Sequence, residues 1–160
     1  MPVRVALLTI SDSSASGARE DLSGPAVADR CRTLGWQVVS TEILSDDRDA
    51  LEYRLASLAD SAITDVILTT GGTGLGPRDI TPEATMAVCE KLVPGLSELM
   101  RERRDLATPR SALSRAVAGV RARTLIVNLP GSPRGAVESL DAVAELIPHA
   151  VEVMGGARHD

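Results

Sequence analysis

Aromatic residues are almost missing from this chain: one Trp, one Tyr and no Phe among 160 residues. The core must therefore be built from Leu, Val, Ile and Ala, and the shortage argues against a stacking platform for single-stranded nucleic acid. The two cysteines, Cys31 and Cys89, lie far apart in helical patterns. That spacing offers neither a disulfide framework nor C-x-x-C chemistry, so both read as small core residues. Histidine is equally scarce, with His149 in the last helical segment and His159 in the terminal tail. A Ser-His-Asp triad or a His-based zinc centre is poorly served by that pair. Basic charge is short as well: 17 Lys and Arg against 22 Asp and Glu give a net charge of −5, which argues against a nucleic-acid footprint. No apolar run approaches the roughly 18 to 20 residues of a membrane helix, and the chain enters Val3-Arg4-Val5-Ala6-Leu7-Leu8 without a secretory leader. A cytoplasmic protein of one domain is expected, without membrane or nucleic-acid partners.

What the chain does have is a glycine-rich loop, Leu68-Thr69-Thr70-Gly71-Gly72-Thr73-Gly74-Leu75-Gly76-Pro77-Arg78-Asp79-Ile80-Thr81-Pro82-Glu83. Asp65-Val66-Ile67-Leu68 before it has the β-branched, apolar character of a buried parallel strand. Thr81-Pro82-Glu83 after it reads as a helix start, with Thr as N-cap and Pro at the first helical position. Strand, glycine loop and helix N-terminus together offer backbone N–H groups to an anion. Two common phosphate loops fail here for the same reason: Pro77 stands where a P-loop needs Lys and where a dinucleotide fingerprint needs Gly. Arg78 and Asp79 add a cation and a carboxylate, a pair suited to a phosphate carrying Mg²⁺.

Other segments repeat the theme of strand, polar loop and helix. Val3–Ile10 is an apolar strand opening into Ser11-Asp12-Ser13-Ser14-Ala15-Ser16-Gly17, a loop that either holds a phosphate or polar ring or is simply solvated. Ser23-Gly24-Pro25 starts a helix with Val27, Cys31 and Leu34 on one stripe, stopped at Gly35. Gln37–Leu44 is a second strand, followed by Ser45-Asp46-Asp47-Arg48-Asp49. Capping the next helix, with its Leu51, Leu55 and Leu58 stripe, requires only one of these acids, so the rest are either surplus or ligand contacts. Helices are expected over Pro82–Lys91, with Met86 and Cys89 to Leu92 inward, and over Gly95–Arg104, whose charged tail Arg101–Asp105 is a solvated face. A polar connection, Thr108–Arg115, precedes two strands, Ala116–Arg121 and Thr124–Leu129, with a tight turn at Ala122-Arg123. Ser132 and Pro133 then open the last long helix, which Pro148 interrupts. This alternation predicts a three-layer α/β/α fold on a mostly parallel sheet.

With so little His and Cys, the usable chemistry is carboxylates, hydroxyls, Arg and glycine-rich backbone. That set fits Mg²⁺-assisted nucleotidyl or phosphoryl transfer, in which catalysis is mainly positioning and charge stabilisation.

The motifs Thr69–Gly74 and Pro77–Thr85 resemble those of the MogA/MoaB-type molybdenum cofactor biosynthesis family. Thr9-Ile10-Ser11-Asp12, Ser45-Asp46-Asp47, Pro94-Gly95-Leu96, Leu113-Ser114-Arg115 and Asn128–Pro133 are similar to further family motifs in the same order. Many members have Pro where this chain has Ser45, a change that bears on loop rigidity more than on chemistry. The resemblance covers nearly the whole chain and implies a molybdopterin-binding α/β domain, as a homotrimer or hexamer. It also implies adenylylation of molybdopterin by ATP with Mg²⁺, releasing pyrophosphate. Asp46 and Asp79 would be the catalytic carboxylates and the metal ligands. Gly71, Gly72, Thr73 and Gly74 would bind the nucleotide. Ser11, Asp12, Ser114, Asn128, Pro130, Gly131 and Ser132 would line the molybdopterin site. Transient contact with a molybdate-insertion protein is implied too. The family also holds paralogues that bind without adenylylating, so a non-catalytic molybdopterin-binding or assembly protein is the alternative, and a general nucleotide-binding module a more distant one.

Overall fold

The strands are long runs of Val, Leu and Ile because they are covered on both faces, and the two faces take alternate residues. In the computed structural model, which describes residues 1–105 and 108–156, the elements follow one another in the order β1 (Arg4–Ile10), α1 (Asp12–Ala15), α2 (Ser23–Thr33), β2 (Gln37–Leu44), α3 (Arg48–Asp60) and β3 (Val66–Thr70). The chain continues with α4 (Thr81–Val88), β4 (Lys91–Leu92), α5 (Pro94–Asp105), a 3₁₀ turn (Pro109–Leu113), β5 (Ala118–Arg121), β6 (Thr124–Leu129), α6 (Pro133–Val143) and α7 (Ile147–Met154). His159 and the side chains of Arg104 and Asp105 lie outside the described residues.

Val5, Leu7, Val66, Leu68, Leu125, Val127 and Leu129 point to one side, against Val27 and Cys31 of α2, Leu96 and Met100 of α5, Leu140 and Val143 of α6 and Ile147 of α7. Ala6, Leu8, Ile10, Ile67 and Ile126 point to the other, against Leu51, Leu55 and Leu58 of α3 and Ala84 and Val88 of α4. This two-sided burial gives the expected three layers, and period-2 side-chain alternation is hidden in the sequence because both faces are apolar.

The sheet order is β2-β1-β3-β6-β5-β4. β2, β1, β3 and β6 are parallel, while β5 and β4 extend the sheet antiparallel. Chain order reverses direction at β1, which is flanked by β2 on one side and β3 on the other. Such a reversal opens a crevice beyond the carboxyl ends of the strands. The register makes those ends level: Ile10 pairs with Leu44, Thr9 with Thr70, and Thr70 with Leu129. Four loops therefore leave one rim side by side.

Local differences from the sequence expectation have physical causes. Thr81 does not cap α4; it is the first helical residue, and the cap position falls on Ile80, which makes no side-chain hydrogen bond. The following helix stops at Val88 rather than Lys91, because Glu90 and Val93 donate backbone N–H bonds to Val120 and Ala118 and so pull the chain onto β5. Met86 and Leu92, expected inward, are 42% and 50% exposed. Val117 N–H is taken by the Asn128 side chain, so β5 begins at Ala118 instead of Ala116. The turn at Ala122-Arg123 is present, with Ala122 at φ 53°. Pro148 lies in the first turn of α7, where it starts a new helix after the break.

Candidate active site

The rim is built by loops from β1, β2, β3 and β6, and its geometry starts with two glycines. Gly71 leaves β3 at φ 93° and Gly72 follows at φ 70°. A Cβ on Gly71 would collide with the Ile10 carbonyl, and one on Gly72 would collide with Thr81 Oγ1 and lie 3.2 Å from Asp46 Oδ1. The tight turn is thus forced by the close approach of the β1 loop, the Asp46 loop and the start of α4. Thr81 Oγ1 is fully buried and has no hydrogen-bond partner among the described residues.

The acidic loop after β2 resolves into separate roles. Asp47 caps α3, its Oδ1 accepting from Ala50 N–H at 3.1 Å. Asp46 is turned the other way, into the rim. Its Oδ2 accepts from Asp12 N–H at 2.9 Å, and Asp46 N–H donates to Asp12 Oδ1 at 3.0 Å. Arg78 completes the contact from the glycine loop with a two-pronged grip on Asp12, Nε and Nη2 donating at 3.0 and 2.9 Å. Those bonds hold the Asp12 carboxyl below the usual carboxylate range, helped by the Asp46 N–H. Asp46 is pushed upward, first by burial and then by the negative charges of Asp12 and Asp79. A carboxylate with a raised pKa beside two others is a place where added positive charge is favourable.

Asp79 sits at the far end of the glycine loop. Its Oδ2 accepts from Gly76 N–H at 2.8 Å, and a Cβ on Gly74 or Gly76 would come 2.9 Å from the same oxygen. Among the described residues no group of three or more His, Cys, Asp or Glu is arranged to hold a metal ion by itself. Two carboxylates with one loop between them match Mg²⁺, which takes one or two protein carboxylates and completes its shell from water and substrate phosphate. The donor set fits such an ion when it arrives with a nucleotide.

Beside the acidic rim, a cavity of about 380 Å³ is lined by Thr9, Ile10 and Ser11 from the β1 loop, Thr70 and Gly71 from β3, Arg19 to Ser23 before and at the start of α2, and Gly131 to Pro133 at the start of α6. Ser11, Gly71, Gly131 and Ser132 are therefore brought together. Ser132 caps α6, its Oγ accepting from Gly135 N–H at 3.0 Å, and Ser11 caps α1 through Ser14 N–H at 3.2 Å. Ser114, Asn128 and Pro130 instead line a narrow cleft with Ser97, Met100 and Arg101. Asn128 is fully buried, its amide donating to Thr69 and Thr85 hydroxyls at 3.0 Å each and accepting from Val117 N–H at 3.1 Å. It ties β6 to β3 and α4 under the glycine loop. Thr73 is also buried.

Sequence reasoning missed Asp21. Its carboxylate accepts from Thr9 Oγ1 at 2.8 Å and from Gly24 N–H at 3.0 Å, so it joins the end of β1 to the start of α2 inside the cavity wall. The available signal was an acid three residues before Gly24 at a helix start. Arg115 was legible as part of a polar connection and of the Leu113-Ser114-Arg115 motif, with no role of its own, yet it contacts the glycine loop directly. Both thiols are excluded from the chemistry, burial pushing Cys31 and Cys89 each up to about 11.

By fold and site this is an α/β ligand-binding protein whose switch-point crevice combines a glycine-rich, helix-opening loop with converging carboxylates. The chain belongs to the molybdopterin-binding family of cofactor biosynthesis proteins: residues 6–149 match the family described as "Probable molybdopterin binding domain". Molybdopterin adenylyltransferase of Helicobacter pylori strain J99 is 42% identical over 156 residues, covering 96% of this chain and 89% of that protein. The enzyme of the same name in Escherichia coli K12 is 36% identical over 146 residues, covering 89% and 74% respectively. The crystal structure of the molybdopterin biosynthesis enzyme MoaB from Thermus thermophilus superposes with a TM-score of 0.91 at 46% identity, over 99% of both chains. Among the described residues no helix is long and apolar enough to cross a membrane.

Proposed function

We propose that this chain is a molybdopterin adenylyltransferase in molybdenum cofactor biosynthesis, forming adenylyl-molybdopterin and pyrophosphate from molybdopterin and ATP. The observation that carries the reading is the cluster at the mouth of the switch-point crevice: Asp46 lies beside Gly72 and is bonded to Asp12, Arg78 grips Asp12, and the charge of Asp79 acts on Asp46. Relatives that this chain matches in sequence over most of their length are named for that activity.

In the reaction a terminal phosphate oxygen of molybdopterin attacks the α-phosphorus of ATP. A new P–O bond forms, the bond from the α-phosphorus to the α,β-bridging oxygen breaks, and the electron pair leaves with pyrophosphate. The attacking phosphate is already anionic, so no general base is needed, and no histidine lines the site among the described residues. Catalysis then rests on alignment and on neutralising charge around the transferring group. The glycine loop supplies N–H groups at the opening of α4. Arg78 supplies a cation on an exposed side chain, 65% accessible, that can transfer its grip from Asp12 to a phosphate. Asp46 and Asp79 are the residues that would hold Mg²⁺, which when bound offsets phosphate charge and orients the triphosphate. The cavity beside Ser11, Gly131 and Ser132, with the α6 N-terminus on its wall, is the proposed seat of the molybdopterin phosphate.

Incubation of the pure protein with molybdopterin, ATP and Mg²⁺ tests the reading. Equal amounts of adenylyl-molybdopterin and pyrophosphate are expected. Molybdopterin binding without either product would mean that the chain is a binding or assembly protein.

A further inference from the structure

Loop 71–80 carries the groups that the proposed chemistry needs, yet among the described residues its backbone bonds to the sheet only through Gly71. Gly71 N–H donates to Leu129 O, and Thr81 N–H donates to Gly72 O, each at 3.1 Å. Asp79 closes a small turn on itself through Gly76. Between these points the Arg78 side chain grips Asp12, and the loop backbone is held from outside by Arg115, which follows the 3₁₀ turn. Arg115 N–H donates to Thr73 O at 2.9 Å. Its Nε donates to Gly74 O at 2.7 Å and its Nη2 to Asp79 O at 2.9 Å. The guanidinium is itself fixed by Glu83 of α4, with Nη1 and Nη2 donating to the two carboxylate oxygens at 2.8 and 3.1 Å.

Those three carbonyls face Arg115, and every peptide bond here is trans. In a trans peptide the C=O and the following N–H point opposite ways. The N–H groups of Gly74 and Leu75 are consequently directed away from Arg115, and neither has an acceptor among the described residues. The same grip on Asp79 O fixes the backbone from which the Asp79 carboxylate projects. A lysine keeps the backbone bond to Thr73 O but cannot reproduce the rest, because the Gly74 and Asp79 carbonyls and the Glu83 carboxylate are met by one planar fork.

We propose that Arg115, steadied by Glu83, is a positioning residue for adenylyl transfer, holding loop 73–79 so that the Gly74 and Leu75 N–H groups and the Asp79 carboxylate face the triphosphate. This rests on the nucleotidyl-transfer reading above. The residue touches no reacting atom; it acts through the loop.

The test compares the wild-type chain with Arg115→Lys, Arg115→Ala and Glu83→Gln. Binding of Mg²⁺ with α,β-methylene-ATP and binding of molybdopterin are measured by calorimetry, adenylylation by steady-state kinetics, and folding by thermal melts. Arg115→Lys is expected to weaken analogue binding about tenfold or more, in line with losing charge-assisted hydrogen bonds. The KM for ATP rises and kcat falls in that variant, while molybdopterin affinity stays at the wild-type value. Glu83→Gln shifts the same parameters the same way by less. Should Arg115→Ala fail to fold, the Lys and Gln variants decide alone. Analogue affinity and KM for ATP at wild-type values in Arg115→Lys would overturn the proposal, as would equal losses of nucleotide and molybdopterin affinity, which mark a general structural role. A wild-type chain that binds the analogue but makes no product defeats the adenylyl-transfer reading, and the affinity comparison then judges Arg115. A wild-type chain that does not bind the analogue defeats both.

Discussion

Two adjacent aspartates, Asp46 and Asp47, divide a labour that the sequence could not apportion. Asp47 caps α3 and Asp46 faces the rim. Asp47→Ala is expected to lower stability by about 1 kcal/mol, the usual value of a lost N-cap, while product formation continues. Asp46→Asn is expected to do the reverse. Its carboxyl is raised by burial and by Asp12 and Asp79. The folded state therefore holds this proton more readily than the unfolded chain, and the charged form costs stability once pH exceeds the ordinary carboxylate value. Asn removes that cost and keeps an oxygen for the Asp12 N–H. Its melting temperature should exceed that of the wild type at pH 7, with the gain vanishing in acid, and its adenylylation should be lost. A melt series from pH 3 to 8 beside an activity assay checks both halves. Asp79→Asn should also abolish product while leaving molybdopterin bound; an unfolded Asp79→Asn protein would make that residue structural. The cysteines stand outside the chemistry. With both thiols pushed up to about 11, native protein at pH 8 should alkylate slowly at either.

At the scale of elements, the glycine loop was the most legible feature and its support the least. Strand, glycines and helix opening could be read from local chemistry, because Gly and Pro punctuate the backbone wherever they stand. What fixes the loop could not, since Arg115 lies 32 residues from Glu83 in sequence and no local pattern joins them. Asn128 was legible as part of a motif, yet only the fold shows its amide occupied by Thr69, Thr85 and Val117 beneath the loop. Thr81 looked like a cap because Thr-Pro-Glu is a common helix opening, but the cap position falls one residue earlier, at Ile80, and Thr81 N–H is taken by Gly72 O across the loop. Gly72→Ala tests that account. The left-handed backbone at φ 70° alone should cost about 1–2 kcal/mol. The added methyl also meets Thr81, so a melting-point loss of several degrees and loss of product are expected together.

The whole molecule is a parallel α/β sheet with an antiparallel extension, and the candidate site sits where the strand order reverses. Alternating strands and helices in the sequence sufficed for that class; the short β4 did not show, because two residues held by β5 carry no periodicity of their own. The homotrimer or hexamer implied by family resemblance is a prediction at this scale. Light scattering should return three or six times the chain mass, and a monomer would refute it. The central claim concerns the path of one phosphorus atom. ATP labelled at its α-phosphate, incubated with molybdopterin, Mg²⁺ and the protein, should place the label on the pterin in wild type and leave it on ATP in Asp46→Asn. Bound molybdopterin that stays unlabelled with the wild-type protein would contradict the account.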